Sequence, residues 1–208
     1  MKTLSRTQTD VVIHLIRHGK TAANAQNLYC GQTDVPLSDD GVAAITALKA
    51  QGLYPEAQLV FTSGFRRAEQ TAHIICGTAG TAVAAMGEYH FGDFEMKSHE
   101  ELKEQEAYRR WIDDETGDVV CPGGENKKQF ARRVWDGFCA IAAEVRDKGA
   151  ASALVVCHGG AIACVMDRLE SGKQHFYDWI PTQGHGYTLV AEGDGFRLHG
   201  AVPVEKMG

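Results

Sequence analysis

The sequence lacks the long apolar stretches and regular repeats that mark membrane and fibrous proteins. The apolar run from Val11 to Ile16 is too short to span a bilayer or to form a signal-peptide core. The 23 glycines follow no fixed period and no a/d heptads are sustained, which excludes collagen-like and coiled-coil chains. We therefore expect no membrane interaction, no secretory leader and a cytoplasmic location.

Blocks of lysine and arginine are also missing. The chain has 21 Lys and Arg against 27 Asp and Glu, a formal net charge of −6. Because phosphate neutralisation drives most nucleic-acid binding, we expect no nucleic-acid partner. A small anionic substrate remains compatible with this charge, since a few converging arginines can reverse the local potential of a pocket.

Motifs for metals and cofactors are absent as well. None of the six cysteines forms a CxxC pair or has the histidine spacing of a zinc finger. His90 and His99 flank Asp93 and Glu95, but this spacing matches no HExxH pattern. No GxGxxG follows the first predicted strand, which disfavours a dinucleotide-binding domain. We expect reduced thiols, no metal and no cofactor.

The composition that is present is typical of a globular domain. With 208 residues, 44% of them hydrophobic, the chain supports one core. We predict a single domain over 1–208, with a small cap inserted at about 88–126. Short apolar strands alternate with helical segments, which favours a three-layer α/β/α fold with a mainly parallel sheet. The predicted strands are 11–16, 59–61, 81–85, 153–157, 186–191 and 195–200. The predicted helices are 42–49 with Ser38 as N-cap, 68–75, most of 98–112, 127–146 and 161–169.

Two predicted strands end in the same kind of loop. The first runs into Arg17-His18-Gly19, and the fourth runs into His158-Gly159-Gly160. Because ligands of open α/β sheets bind beyond the carboxyl ends of the strands, both histidines are expected at one rim. The second strand leads into a helix whose first turn holds Arg66 and Arg67. A helix N-terminus and a guanidinium both favour a phosphate group there, and we expect one of the two arginines to be a surface charge.

These motifs resemble the histidine phosphatase superfamily, in its phosphoglycerate-mutase-like branch. Arg17-His18-Gly19 with Thr21 and Asn24 matches the pattern R-H-G-x-T-x-x-N, the stretch 63–72 matches the second-arginine motif with Arg67 in the arginine position, and 156–160 matches the second-histidine motif. The segments 28–37 and 88–96 are most similar to the α-ribazole-5′-phosphate phosphatases of that branch. The chain departs from the usual pattern at five positions, with Lys20 for Glu, Gly64 and Phe65 for Pro and Leu, Phe94 for Trp and Asn126 for Ser.

The resemblance implies a phosphomonoesterase with a phosphohistidine intermediate. It implies that His18 is the nucleophile and that Arg17, Arg67 and His158 hold the phosphoryl oxygens. Neutral imidazole is a competent nucleophile at pH 7. Glu88 is the candidate proton donor, with Glu95 as its rival. The candidate substrate-binding residues are Asn24, Gly31, Gln32, Thr33, Gly159, Glu125 and Gln183.

The expected substrate is a small phosphate monoester, with α-ribazole 5′-phosphate of cobalamin nucleotide-loop assembly as the first choice. A broad-specificity sugar-phosphate phosphatase is the main alternative. A cofactor-dependent phosphoglycerate mutase is disfavoured by the short cap, and a non-catalytic phosphate-binding protein by the complete set of motif residues. The long amphipathic helices are compatible with a homodimer. The sequence assigns no role to the other histidines, and it places His14 in the sheet.

Overall fold

The computed structural model describes residues 11–203, so the prediction about a leader lies outside the described residues. The strands are β1 Val12–Arg17, β2 Leu59–Thr62, β3 Thr81–Ala82, β4 Ser152–Cys157, β5 Gly186–Glu192 and β6 Gly195–Val202. The helices are α1 Ala22–Ala25, α2 Asp39–Ala50, α3 Arg66–Cys76, α4 His99–Leu102, α5 Glu106–Ile112, α6 Lys127–Asp147 and α7 Gly159–Leu169. Short 3₁₀ helices lie at Ala84–Met86, Gly92–Phe94 and Phe176–Trp179.

The six strands form one sheet in the order β3-β2-β4-β1-β5-β6. The first four strands in that order are parallel, and β5 and β6 continue the sheet in antiparallel pairing. This confirms the predicted mainly parallel sheet. β1 and β4 are neighbours, and their register pairs Arg17 with Cys157, so the two loops that follow leave the sheet side by side.

Helices cover both faces of the sheet, which confirms the three-layer prediction. On one face Leu15 and Val155 pack in a cluster that includes buried residues of α6 and α7. On the other face Ile16 and Val156 pack with Ile45 of α2 and with buried residues of α3. Successive strand residues point to opposite faces, so strands covered on both sides read as the continuous apolar runs seen in the sequence.

Most element boundaries agree with the predictions to within two residues, and one strand does not. The strand predicted at 81–85 is only Thr81–Ala82, and a 3₁₀ helix begins at Ala84. The physical reason is its partner. Thr62 is the last residue of β2 and pairs with Ala82. Its carbonyl accepts the Val83 N–H at 2.8 Å, which is the last backbone hydrogen bond between the two segments.

Helix starts follow their capping residues. The Ser38 hydroxyl accepts the Gly41 N–H, which confirms the predicted N-cap of α2. Asn126 caps α6 in a capping box with Gln129, and asparagine, like serine, is a favoured N-cap residue. The predicted helical stretch 98–112 is two helices, α4 and α5, broken at 103–105.

The segment 88–126 lies between β3 and α6 and packs through aromatic rings. Phe94, Tyr108 and Trp111 are buried and contact one another. The Trp111 indole N–H donates to the Tyr89 hydroxyl, which in turn donates to the Glu125 carbonyl. These contacts hold the start and the end of the segment together, close to the carboxyl edge of the sheet. No helix within 11–203 is long and apolar enough to cross a membrane.

Candidate active site

The site begins where β1 and β4 end. The His18 N–H donates to the Cys157 carbonyl at 3.0 Å, which continues the strand pairing by one step. The next residue after each strand is therefore a histidine, and the two rings lie 5.1 Å apart between centroids. The expectation that one rim carries both histidines is confirmed. Both side chains are buried.

His18 is held in one orientation by its own loop. Its Nδ1 lies 2.7 Å from the Gly19 carbonyl oxygen, an acceptor, so Nδ1 carries the proton and Nε2 carries the lone pair. The Gly19 N–H donates to the Thr71 hydroxyl of α3, which fixes that loop. Burial, and then the positive charge of Arg67, lower the pKa of His18 to about 3. The ring is therefore neutral and nucleophilic at pH 7.

Two arginines approach the histidines, and the protein uses only part of the donors of each. Arg67 is 1% exposed and donates to the carbonyls of Gly31 and Thr33 at 2.8 and 2.9 Å. Arg17 donates to the Pro181 carbonyl at 2.8 Å. The Nε atoms of both arginines are buried and have no hydrogen-bond partner among residues 11–203. Arg66 is exposed, so it is the surface charge of the pair.

His158 begins α7 and adds a third unpaired nitrogen. Its Nε2 lies 2.8 Å from the Ser63 hydroxyl, and its buried Nδ1 has no partner within the described part of the chain. Burial lowers the pKa of His158 well below its ordinary value, and the neighbouring His18 and Arg67 act in the same direction. Gly159 follows, and a Cβ there would lie 3.2 Å from the Arg17 Nε. Glycine thus allows the close approach of Arg17.

The two candidate acids are in different surroundings. The Glu88 carboxylate accepts N–H groups from Tyr89 at 2.9 Å and from Gly160 at 3.0 Å, the second residue of α7. The Glu95 carboxylate instead accepts the backbone N–H groups of 31–33 and the Thr33 hydroxyl. Glu95 therefore holds the loop to which Arg67 is bonded. Glu88 lies beside the histidines.

Most of the other predicted residues lie in two loops and in α1. Gly31, Gln32 and Thr33 form the loop between Arg67 and Glu95, and the Gln32 amide donates to the Glu88 carbonyl. Gln183 lies in the loop after Pro181. The next residue, Gly184, donates its backbone N–H to the Arg17 carbonyl. Asn24 differs from expectation in its contacts, because its Oδ1 accepts from both the Thr21 N–H and hydroxyl in a capping box of α1.

An open pocket of about 740 Å³ adjoins this cluster. Ser63 and Gln32 line the pocket. The Ser63 hydroxyl is hydrogen-bonded to His158, and the Gln32 amide donates to the Glu88 carbonyl. Glu125 lines the far side and is ion-paired with Arg133. The full lining consists of Gln32, Asp34, Ser63, Gly64, Phe65, Ala82, Ala84, His90, Gly124, Glu125 and Arg133.

Sequence reasoning missed the roles of Ser63, Phe65 and Arg133. Ser63 directly follows the end of β2, so its place at the rim was readable from the strand pattern. The Phe65 ring lies 4.6 Å from the Arg67 guanidinium carbon and 5.5 Å from the His158 ring. Gly64 before it has φ of 85°, which proline cannot adopt, so the departure from the family pattern changes this loop. Nothing in the sequence marks Arg133, which reaches the site from the second turn of α6.

The histidines without an assigned role lie in different surroundings. His14 is buried in β1 and lies 2.9 Å from the Thr188 hydroxyl, as expected for a sheet histidine. Burial, with a smaller contribution from His199, lowers the pKa of His14 to about 4. His99 Nδ1 lies 2.8 Å from the Tyr108 hydroxyl, whereas His90 lines the pocket. Residues 11–203 contain no group of three or more His, Cys, Asp or Glu side chains arranged to hold a metal ion.

Comparison with known proteins agrees with this geometry. The family profile described as histidine phosphatase superfamily (branch 1) matches residues 13–201. An adenosylcobalamin/alpha-ribazole phosphatase of Escherichia coli is 31% identical over 160 residues, which cover 74% of this chain and 77% of that protein. A 2,3-bisphosphoglycerate-dependent phosphoglycerate mutase of Beijerinckia indica is 31% identical over 180 residues, covering 77% and 83%. The crystal structure of the alpha-ribazole phosphatase from Shigella flexneri superposes with a TM-score of 0.80 at 26% identity, covering 95% of this chain and 98% of that one.

Proposed function

The chain belongs to branch 1 of the histidine phosphatase superfamily, and we propose that it is a phosphomonoesterase whose substrate is α-ribazole 5′-phosphate. The similarity to proteins named alpha-ribazole phosphatase supports this substrate. The reaction belongs to the assembly of the cobalamin nucleotide loop. The enzyme releases inorganic phosphate and the nucleoside, and acts on a small molecule in the cytoplasm. The six cysteines are unpaired, which suits a reducing compartment.

The observation that carries the proposal is the set of unpaired nitrogens around His18. Buried polar groups are nearly always hydrogen-bonded, and an unmet one costs about 1–3 kcal/mol. Here three fall in one cluster, namely the Nε atoms of Arg17 and Arg67 and the Nδ1 of His158. A phosphoryl group supplies the oxygen acceptors that two guanidinium groups require.

In the first step, the His18 Nε2 lone pair attacks phosphorus and the bond from phosphorus to the ester oxygen breaks. Arg17, Arg67 and His158 stabilise the charge on the equatorial oxygens, which is the main catalytic need of phosphoryl transfer. Protonated Glu88 gives its proton to the leaving alkoxide. The His18 proton stays on Nδ1, which donates to the Gly19 carbonyl and keeps the ring aligned.

In the second step, water attacks the phosphohistidine and the bond from nitrogen to phosphorus breaks. The Glu88 carboxylate takes the proton of that water, so the acid of the first step is the base of the second. Glu88 suits both steps because it lies at the first turn of α7, next to His158. Glu95 is committed to the loop 31–33 and serves as a support for Arg67.

The test is phosphate release from α-ribazole 5′-phosphate in EDTA, compared with sugar phosphates and 3-phosphoglycerate. We expect the highest kcat/KM for α-ribazole 5′-phosphate and loss of all activity in His18→Ala. A preference for sugar phosphates that is still lost in His18→Ala would contradict the substrate and retain the chemistry. Activity that survives His18→Ala would contradict the proposed mechanism.

A further inference from the structure

The pocket next to the histidines is on the side where the alcohol of the substrate must lie. Glu88 protonates the leaving oxygen in the proposed mechanism, and the Gln32 amide reaches the Glu88 carbonyl from the pocket wall. His90 follows Glu88 by two residues and lines the same pocket. Groups lining this space therefore meet the alcohol rather than the phosphoryl group.

Arg133 is the single Lys or Arg among the lining residues, and its donors are fully used. Its Nη1 donates to the carbonyls of Ala85 and Gly87, at 3.0 and 2.9 Å. Its Nη2 donates to the Glu88 carbonyl at 3.1 Å and to the Glu125 carboxylate. Its Nε donates to the other Glu125 oxygen at 3.2 Å. A guanidinium has five N–H groups, so none remains for a ligand.

The remaining charged residues of the lining are acidic. Glu125 balances Arg133, and Asp34 accepts the backbone N–H of Arg66 at 2.7 Å. A second phosphate or a carboxylate on the alcohol would meet no free guanidinium or ammonium in the lining and would face the Asp34 carboxylate. An uncharged alcohol avoids both costs.

One lining residue, His90, has a side-chain nitrogen that makes no hydrogen bond within residues 11–203. The backbone of His90 is fixed by Glu125, whose carboxylate accepts the His90 N–H at 2.9 Å and whose N–H donates to the His90 carbonyl at 3.1 Å. The His90 Nδ1 is buried and has no hydrogen-bond partner among residues 11–203. A hydroxyl of the ligand can donate to this nitrogen or accept from it once the ring turns Nδ1 toward the pocket.

We propose that this pocket selects the phosphate esters of uncharged alcohols that carry hydroxyl groups, and that His90 is a specificity-determining residue that binds one of those hydroxyls. The proposal rests on the proposed function, since it takes the pocket as the leaving-group site. This selectivity would distinguish the protein from enzymes whose substrates carry a second negatively charged group. A ribosyl 5-phosphate with a neutral base meets both conditions.

The charge part is tested with two substrates that share one skeleton. Glycerol 3-phosphate and 3-phosphoglycerate differ only in a hydroxymethyl group against a carboxylate. We expect kcat/KM at least about tenfold higher for glycerol 3-phosphate, and we expect Asp34→Asn, which keeps the acceptor for Arg66, to narrow that gap. Equal or higher activity on 3-phosphoglycerate in the wild-type enzyme would overturn the proposal.

The hydroxyl part is tested with His90→Phe and His90→Asn on α-ribazole 5′-phosphate and on p-nitrophenyl phosphate, which lacks hydroxyls. We expect His90→Phe to lower the ratio of the two kcat/KM values about 10- to 100-fold, and Asn, whose amide can replace Nδ1, to restore part of it. His73→Phe, an exposed histidine on α3, is the matched control. An unchanged ratio would overturn the role of His90, whereas p-nitrophenyl phosphatase activity that persists in His18→Ala would overturn the proposed function instead.

Discussion

The arginines near the two histidines and the arginine in the adjoining pocket differ in how the protein uses their N–H groups. Near the histidines, Arg67 is buried and Arg17 is half-buried, and the Nε atom of each is buried with no hydrogen-bond partner among residues 11–203. At the pocket end, Arg133 donates all five N–H groups to protein carbonyls and to Glu125. An arginine with an unmet buried donor is prepared for a ligand, and one whose donors are all met is a structural support. Burial and charge alone do not separate the two roles.

The largest effect is expected from removing the nucleophile at the histidine end. His18→Asn should lower kcat on p-nitrophenyl phosphate by at least about 10³-fold, because the variant lacks the nucleophile that forms the proposed phosphohistidine. Steady-state phosphate release measures this. Circular dichroism should show that the variant is folded. A residual rate within tenfold of wild type would contradict the role of His18 as nucleophile.

Arg67→Lys tests whether the geometry of the guanidinium matters. Lysine keeps the charge, but it cannot donate to Gly31, to Thr33 and to a phosphoryl oxygen from one planar group. We expect kcat/KM to fall about 10²- to 10³-fold. A decrease of kcat/KM by threefold or less would mean that a positive charge at position 67 suffices. The unpaired donors of Arg67 would then not distinguish it in function from Arg133.

Glu88→Gln separates the acid from its rival. We expect the loss of kcat to reach about 10²-fold on α-ribazole 5′-phosphate, an ester with a poor leaving group, and to be much smaller on p-nitrophenyl phosphate. Glu95→Gln is the matched control. It should affect both substrates alike, because Glu95 supports the loop 31–33. Equal losses on both substrates in Glu88→Gln would contradict its role as proton donor.

Acidification should destabilise the wild-type protein through His18. Its pKa is about 3 in the folded chain and 6.5 when exposed, so unfolding takes up a proton between these values. The free energy of unfolding is then undiminished above pH 6.5 and falls as the pH drops toward 3. Between pH 7 and pH 4 the wild type should lose about 3 kcal/mol more than His18→Asn, in denaturant titrations. Parallel curves for the two proteins would contradict the buried neutral ring.

The smallest effect is expected from the neighbour of Arg67. Arg66→Ala removes an exposed side chain and keeps the backbone N–H that bonds Asp34. We expect kcat/KM to change by less than about threefold and the free energy of unfolding by less than about 0.5 kcal/mol. An effect as large as that of Arg67→Lys would mean that the site uses both arginines.

The sequence predicted the frame of the site because strand ends and glycine loops are local signals. The apolar run Val11–Ile16 leads through Arg17 into His18-Gly19, and the run 153–157 leads directly into His158-Gly159. Parallel neighbouring strands bring these two ends together. The short third strand was overestimated, since its length depends on how far β2 continues beside it. That is a contact between distant segments, which a single apolar run does not report.

The division of labour between similar residues could not be read from the sequence. Glu88 and Glu95 lie in one motif, and only the fold shows which carboxylate is tied to the loop 31–33. Arg133 is one of several charged residues on α6, and its contacts come from chain 45 residues or more away as well as from Glu125. The unmet nitrogen of His90 is likewise a property of packing.

The most direct measurement is to trap the enzyme during turnover and locate the phosphoryl group. Rapid mixing with p-nitrophenyl phosphate, an alkaline quench and mass spectrometry of the peptides would find it. We predict one acid-labile, alkali-stable phosphoryl group per chain, on His18, and none in His18→Asn. A phosphoryl group on any other residue, or full turnover with His18 unmodified throughout, would contradict the account.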